Sequence, residues 1–527
     1  MNKYDIALAS AAFLIALMSS LLLSGAQVGF TPDGAYALNI AQNLADGEGQ
    51  VSKRISIDTI PAAARPVITK PPLFPLVVAA VITIGVPPKI AGQVITLLSF
   101  ALSIATLYLL ARLYIPRLPA LIVSALHAIQ MSGLGWSVLI HEQWLFILMM
   151  YISLLILVKL REQPEDTSKW AWVLLGISVA AAILSSYQGL PLVITVSAIV
   201  IIDTVRQKCS WKQMCLYAGG MAALGLVPLV RFLNYFAQGT RPGFITGSDP
   251  TWYSIGVGLI HTLQIDYFGQ LFFWLGDRSS TDVFILATSL GLLLFVMLLA
   301  SEKRNIMPVS AFIICYLAIL VIRFSINGVP YLEKRFVLSI EGLLILVIAV
   351  ALIHGINSSK RYFRIVAITA SSLLIMLFVS GQFQRYIKFS EKIAASGGSL
   401  EYCPAPTTID WVKKNINPGS VIMSPQCGYQ ILAETNDYYW LPIPPSDEYI
   451  TSTKYQERWD EEDILRISKA TGTGWIVILS GKKIDPKFEN PGYGPFVSKL
   501  MEGFDSNDKI RKIVTLPDGI VYRVFYN

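Results

Sequence analysis

The feature that most constrains this chain is a series of apolar runs, each near the length of a helix that crosses a hydrocarbon core of about 30 Å. They fall at Ile6–Leu23, Ile90–Leu113, Ala120–Gly135, Trp144–Leu160, Trp170–Ser186, Pro191–Val205, Met214–Phe236, Val283–Ala300, Met307–Phe324, Phe336–His354 and Ile365–Ser380. The fold class they predict is a polytopic α-helical membrane protein of about 11 transmembrane helices. Composition agrees, with 54% hydrophobic and 15% charged residues, where soluble proteins carry about 25% charge. A cleaved signal peptide competes for Ile6–Leu23, but so many later spans favour an uncleaved first helix.

The net charge of +7 does not point to nucleic acid, because Lys and Arg sit in short clusters between apolar runs, as cytoplasmic loops of membrane proteins do. Lys3 before the first run puts the N-terminus in the cytoplasm and the loop after it outside. Leu73–Gly85 is apolar but only about 20 Å long as a helix. If it crossed, the clusters ARLYIPR, KLREQPEDTSK and VRQKCSWK would mostly face outward. If it is interfacial or re-entrant, Arg112/Arg117, Lys159/Arg161/Lys169, Arg206/Lys208/Lys212, Lys303/Arg304 and Lys360/Arg361/Arg364 share the inner side. That second arrangement is the expectation. It leaves residues 24–89 and 237–282 as large outer loops with interfacial helices, and it puts the C-terminal tail outside. The protein is thus read as a multi-pass protein of the plasma or inner membrane.

The tail changes character. SVIMS, YYWLPI, GWIVILS, KIVTL and IVYRVFY alternate with the helical patterns TTIDWVKKNI and EEDILRISKA, which predicts a small extracytoplasmic α/β domain. The division expected is 1–382 for a transmembrane catalytic domain and 383–527 for the tail. In an oxidising compartment Cys403 and Cys427 are candidates for pairing, although sequence alone supplies no geometry. The five cysteines and four histidines form no metal-ligand spacing.

Few residues remain to carry chemistry. Asp33 follows the first span and Pro32, near the N-cap of an amphipathic helix, AYALNIAQNLADG. Capping alone explains an Asp there, but a carboxylate at a water–lipid boundary also suits proton transfer or metal binding. Lys70 precedes Pro71 and Pro72, which favour an extended residue 70 and a helix start after it. It either snorkels to head groups or binds an anion. His141 and Glu142 occupy a tip between two spans, where an acid is a functional candidate. His261 lies in an interrupted apolar segment, either in an aromatic belt or beside a cavity. In YLEKRF, Lys334 and Arg335 stand on the outer side against the charge rule. Either Glu333 neutralises Lys334, or the two cations hold a phosphate, with Arg able to bind bidentately.

Taken in order, Asp33-Gly34 with Tyr36, Asn39 and Ala41, then Lys70-Pro71-Pro72-Leu73, the outer HEQWLF, Arg335 at a span entrance and the α/β tail resemble the GT-C glycosyltransferases. The nearest group is the protein O-mannosyltransferases and the lipid A aminoarabinose transferases. The resemblance implies a GT-C-like fold and inverting transfer of a sugar from a polyprenyl-phosphate donor on the extracytoplasmic face. It makes Asp33 the catalytic base and Glu142 the second carboxylate. Lys70 and Arg335, with Lys334, become the donor-phosphate contacts, and His261, His141 and Tyr36 candidate substrate contacts. A divalent metal at Asp33 and Glu142 is an open cofactor, since relatives differ in metal use. The partners implied are the bilayer, the lipid-linked donor and an acceptor that is a protein, lipid or glycan. The family usually has a second acid directly after the first; here Gly34 stands instead. The alternatives are a transporter or flippase of a lipid-linked or anionic substrate, and a noncatalytic assembly protein. The first predicts ionisable residues in mid-span and an internal repeat, and neither stands out.

Overall fold

The structure, a computed structural model, describes residues 3–23, 29–53, 65–67, 70–162, 168–237, 306–327, 334–357, 405–424, 428–442, 461–479 and 493–525, with a few single positions between 361 and 391. Five described helices are long and apolar enough to cross a membrane: Lys3–Leu23, Pro88–Arg112, Gln143–Glu162, Tyr187–Val205 and Leu338–Ile356. Of the remaining runs, Val283–Ala300 lies outside the described residues, and Ile365–Ser380 is described only at single positions.

Helix α1 (Lys3–Leu23) buries Ala9, Ala12, Ala16 and Ser20. That small-residue stripe at helical spacing lets α1 pack on α4 (Pro88–Arg112). The expected span Ala120–Gly135 is two pieces, α5 (Arg117–Ala128) and α6 (Met131–Ser137). Between them Gln130 leaves the helical region, at φ −65° and ψ 122°, and its buried side chain bonds His127 Nδ1 at 3.3 Å. Helices α7 (Gln143–Glu162), α8 (Lys169–Ser185), α9 (Leu190–Val205) and α10 (Trp211–Ala237) follow. Among the described residues α11 (Met307–Asn327) and α12 (Lys334–Ile356) come next. Phe100 meets Trp144 edge-on at 4.5 Å in its core.

Helix α3 (Leu73–Thr83) is short. It has 11 residues, about 16 Å, and both its flanks touch the same loop. Lys70, before it, reaches Glu142. Gly92 and Thr96, in the first turns of α4 after it, pack on Ile140 and His141. Both ends of α3 therefore lie at one end of the bundle. The opposite end, about 30 Å away along α7, holds other charges: Asp5 takes Arg112 and Arg117, each at 3.1 Å, and Arg161 takes Asp203 at 2.7 Å.

The tail contains all five expected strands: β5 (Val421–Ser424), β6 (Tyr439–Pro442), β7 (Trp475–Leu479), β8 (Ile510–Leu516) and β9 (Gly519–Val524). They form one mixed sheet in the order β6-β5-β7-β9-β8, parallel from β6 to β7 and antiparallel beyond. Alternate residues of β7 serve opposite faces, as a strand's period of two dictates. Ile476 and Ile478 pack with Ile464, Ile467, Leu500 and Phe504 of α15 (Glu461–Thr471) and α16 (Tyr493–Ser506). Val477 and Leu479 pack with Ile409, Val412 and Ile431 of α13 (Pro406–Asn415) and α14 (Tyr429–Glu434). Cys403 and Cys427 lie outside the described residues.

Candidate active site

Two short loops are stitched together at the α3 end of the bundle. β1 (Gly29–Phe30) pairs in parallel with β4 (Leu139–Ile140), Phe30 opposite Ile140. Each strand runs straight into a candidate residue: β1 into α2 (Pro32–Ala45), which carries Asp33, and β4 into His141 and Glu142. Two residues of pairing thus bring together carboxylates 109 positions apart in sequence.

Asp33 lies near the N-cap of its helix, as expected, but is not the cap itself. Thr31 takes that place, at φ −80° and ψ 164°, and its hydroxyl accepts the Gly34 N–H at 2.9 Å. With one orphan amide satisfied by Thr31, the Asp33 carboxylate turns to Lys70, whose Nζ donates to Oδ1 at 2.5 Å. The Lys70 backbone is held by the Gln50 side chain, which donates to its carbonyl at 3.1 Å. Gln50 precedes β2 (Val51–Ser52), the antiparallel partner of β3 (Arg65–Pro66), so this ribbon delivers Lys70 to the head of α2. The same ammonium lies 3.6 Å from Glu142 Oε1. One lysine bridges both carboxylates.

Gly34 has a steric reason. A Cβ there would run into the Ile140 carbonyl, with its carbon at 2.9 Å, so no side chain fits where relatives carry their second acid. Glu142, two residues past Ile140, brings a carboxylate to the same lysine from the other loop.

Glu142 is 12% exposed. Its Oε2 is buried and has no hydrogen-bond partner among the described residues. Burial, the largest influence, pushes its carboxyl up. The positive charge of His141, when that ring is protonated, and of Lys70 overrides burial and holds Glu142 below the ordinary carboxylate value. His141 is buried; its Nδ1 accepts the Gln143 N–H at 3.1 Å and lies 3.6 Å from Glu142 Oε2. Tyr36 is half-buried one turn along α2 from Asp33. His261 lies outside the described residues, as do the side chains of Lys334 and Arg335, whose backbone opens α12.

A buried polar network that the sequence reading missed continues from Glu142 to α12. Gln143 donates to Ser339 Oγ at 2.6 Å and exchanges hydrogen bonds with Gln188 at 3.2 and 3.0 Å. Tyr316 donates to Gln188 Oε1 at 2.8 Å and to the Phe336 carbonyl at 2.9 Å. The first turns of α12, with Arg335 next to Phe336, are thereby fastened to the residue that follows Glu142. Gln143, Tyr316 and Ser339 are polar residues inside apolar runs, which is the signal that could have found them.

The site does not fit a divalent ion as it stands. A metal bridging Asp33 and Glu142 would need the space between them, which the Lys70 ammonium holds. Among the described residues no three His, Cys, Asp or Glu side chains cluster.

Residues 69–232 match the family described as dolichyl-phosphate-mannose-protein mannosyltransferase. No curated protein matches the chain. Among solved structures, an Archaeoglobus fulgidus oligosaccharyltransferase tethered with an acceptor peptide aligns over 100% of this chain and 74% of its own, at 12% identity and TM-score 0.56. ArnT from Cupriavidus metallidurans bound to undecaprenyl phosphate aligns over 99% and 98%, at 12% identity and TM-score 0.53. The archaeal enzyme in complex with an inhibitory peptide and a dolichol-phosphate gives 98% and 74%, at 13% and 0.53. At such identities what is shared is the fold. Family match and fold together indicate a GT-C-type membrane glycosyltransferase rather than a transporter or an assembly protein.

Proposed function

We propose that the protein transfers a sugar from a polyprenyl-phosphate donor to an acceptor on the extracytoplasmic face, with inversion at the anomeric carbon. The observation that carries this reading is the bridged pair Asp33–Lys70–Glu142 at the rim of the bundle. The donor's phosphate draws the Lys70 ammonium toward itself, which releases Asp33 to act as base. Asp33 takes the proton of the acceptor O–H or N–H, the acceptor atom bonds to the anomeric carbon, and the bond from that carbon to the phosphate oxygen breaks. Polyprenyl phosphate leaves with its added negative charge stabilised by Lys70 and by Arg335, with Lys334 beside it. Glu142 Oε2, buried without a partner among the described residues, accepts a hydroxyl of the sugar or the acceptor, since a buried oxygen is normally bonded. Tyr36, His141 and His261 are assigned to the walls of the cavity.

The same reading puts the site end of the bundle outside. The opposite end, with Arg112, Arg117 and Arg161, and the N-terminus are then cytoplasmic, as the positive-inside rule favours. It keeps about 11 spans, with residues 1–382 as the membrane part and 383–527 as the extracytoplasmic part. Donor phosphate chemistry is also favoured by the lipid phosphates bound in two structural neighbours. The test is purified protein in detergent with radiolabelled polyprenyl-phosphate sugars and envelope material from a strain lacking the protein. Label leaving the lipid for the acceptor supports the proposal; label that stays on the lipid for every sugar tried overturns it.

A further inference from the structure

The C-terminal domain does more than sit beside the site: its turn before β6 is inserted into the layer that carries Asp33. Asn39 of α2 is fully buried. Its Oδ1 accepts from Ser52 Oγ at 3.0 Å and from the Lys53 N–H at 3.1 Å, and its Nδ2 donates to Asn436 Oδ1 at 3.0 Å. Asn436 in turn donates from Nδ2 to Asp46 Oδ2 at 3.0 Å, and its carbonyl accepts from Lys53 Nζ at 2.6 Å. The Trp440 N–H donates to the Lys53 carbonyl at 3.0 Å. Leu432, Ala433 and Trp440 share one apolar cluster with Ala35, Leu38 and Ala41 of α2 and Phe74 and Val78 of α3. Glu434 takes Lys89, in the first turn of α4, at 3.3 Å.

One tail residue, Asn436, thus satisfies a buried amide six positions along α2 from Asp33 and clamps the far end of the same helix through Asp46. The head of α2 is fixed by Thr31 and by β1; its body is held by Ser52 and Lys53 at Asn39 Oδ1 and by the tail at Asn39 Nδ2, a donor that is costly to leave unmet in that buried position. We infer that Asn436 is a positioning residue for the transfer reaction, through which the docked C-terminal domain sets the orientation of α2 and hence the reach of Asp33 toward Lys70 and Glu142. This rests on the transferase reading for its effect on rate, but not for its effect on α2.

The hydrogen bonding offers a rescue that a general packing role would not. Asn436→Ala removes both bonds. Asn436→Asp alone keeps the acceptor for Asn39 but sets two carboxylates against each other at Asp46. Asn436→Asp combined with Asp46→Asn reverses the direction of the second bond and restores the pair. In the full-length protein in detergent, Asn436→Ala should lower kcat roughly tenfold to a hundredfold, the scale of a displacement near 1 Å in a reacting group. Donor KM should stay within about twofold, since the tail contacts α2 rather than the phosphate-binding residues. Hydrogen exchange of the α2 amides should speed up in the same variant, and the double variant should return kcat and exchange toward wild type. Wild-type kcat and exchange in Asn436→Ala, or a double variant no better than Asn436→Asp, would overturn the inference. If wild-type protein moves no label, the transferase reading falls, and α2 exchange in the three variants still decides the role of Asn436.

Discussion

Gly34→Ala is the sharpest perturbation of the site that changes no charge. The added methyl enters the space of the Ile140 carbonyl and also comes within 3.2 Å of Thr31 Oγ1. Neither neighbour yields easily, because one is backbone in the β1–β4 pair and the other is engaged in capping. The 139–142 segment must retreat by about 1 Å, an overpacking that costs typically 1–3 kcal/mol. The same retreat carries Glu142 away from Lys70. Stretching their 3.6 Å separation by about 1 Å at an effective dielectric near 20 removes about 1 kcal/mol of attraction. Misplacing a carboxylate by that distance costs roughly a hundredfold in rate. The assay is initial-rate transfer from a radiolabelled lipid-phosphate sugar, with thermal unfolding of the detergent-solubilised protein as the companion measurement. The expected result is kcat down roughly tenfold to a hundredfold with a lowered melting temperature. Wild-type rate and stability would refute the β1–β4 account of how the carboxylates meet, and would reopen position 34 to a second acid.

Lys70→Met should raise donor KM and lower kcat together, roughly a hundredfold or more in kcat/KM, and Lys70→Arg should not restore it, since a planar fork does not fill the point-charge position between Asp33 and Glu142. Glu142→Gln should change the acid limb of the stability profile: its folded carboxyl lies below the ordinary value of 4.5, so its contribution is present above that pH and lost as pH falls through the folded value. Thermal melts from pH 6 down to about 3 should therefore show a shallower decline in Glu142→Gln than in wild type; identical slopes would contradict it. Gln188→Ala, which breaks the link from Gln143 to Tyr316 and leaves the direct bond from Gln143 to Ser339, should raise donor KM roughly tenfold by loosening the first turn of α12, with the acceptor KM unchanged.

Much of the fold is legible because two physical constraints act locally. Apolar runs long enough to span a bilayer declare themselves, and the five tail strands stand out as short β-rich runs between amphipathic helices. The charge clusters flanking the spans favour α3 as a helix that does not cross, and the contacts of Lys70, Gly92 and Thr96 put both its flanks against one loop. Asp33, Lys70 and Glu142 were legible as individual residues, since each is a polar group at the edge of an apolar run. Their convergence was implied by the resemblance, which pairs Asp33 with Glu142, but no local pattern shows it. It depends on two-residue strands, Gly29–Phe30 and Leu139–Ile140, too short to leave a period in the sequence. The cap at Thr31, one residue before Pro32, and the break at Gln130 were lost for a related reason: both turn on single side-chain hydrogen bonds. Asn436 was invisible because its partner, Asn39, is 397 positions away.

The central claim is that Asp33 is the base of a lipid-phosphate-dependent transfer, and Asp33→Asn tests it most directly. The substitution keeps size and a hydrogen-bond acceptor for Lys70 and removes the carboxylate's charge and with it the ability to take a proton. With purified protein, a radiolabelled polyprenyl-phosphate sugar and saturating acceptor, the account predicts that wild type moves the label while Asp33→Asn binds donor but transfers at least roughly a hundredfold more slowly. Turnover in Asp33→Asn equal to wild type would contradict it.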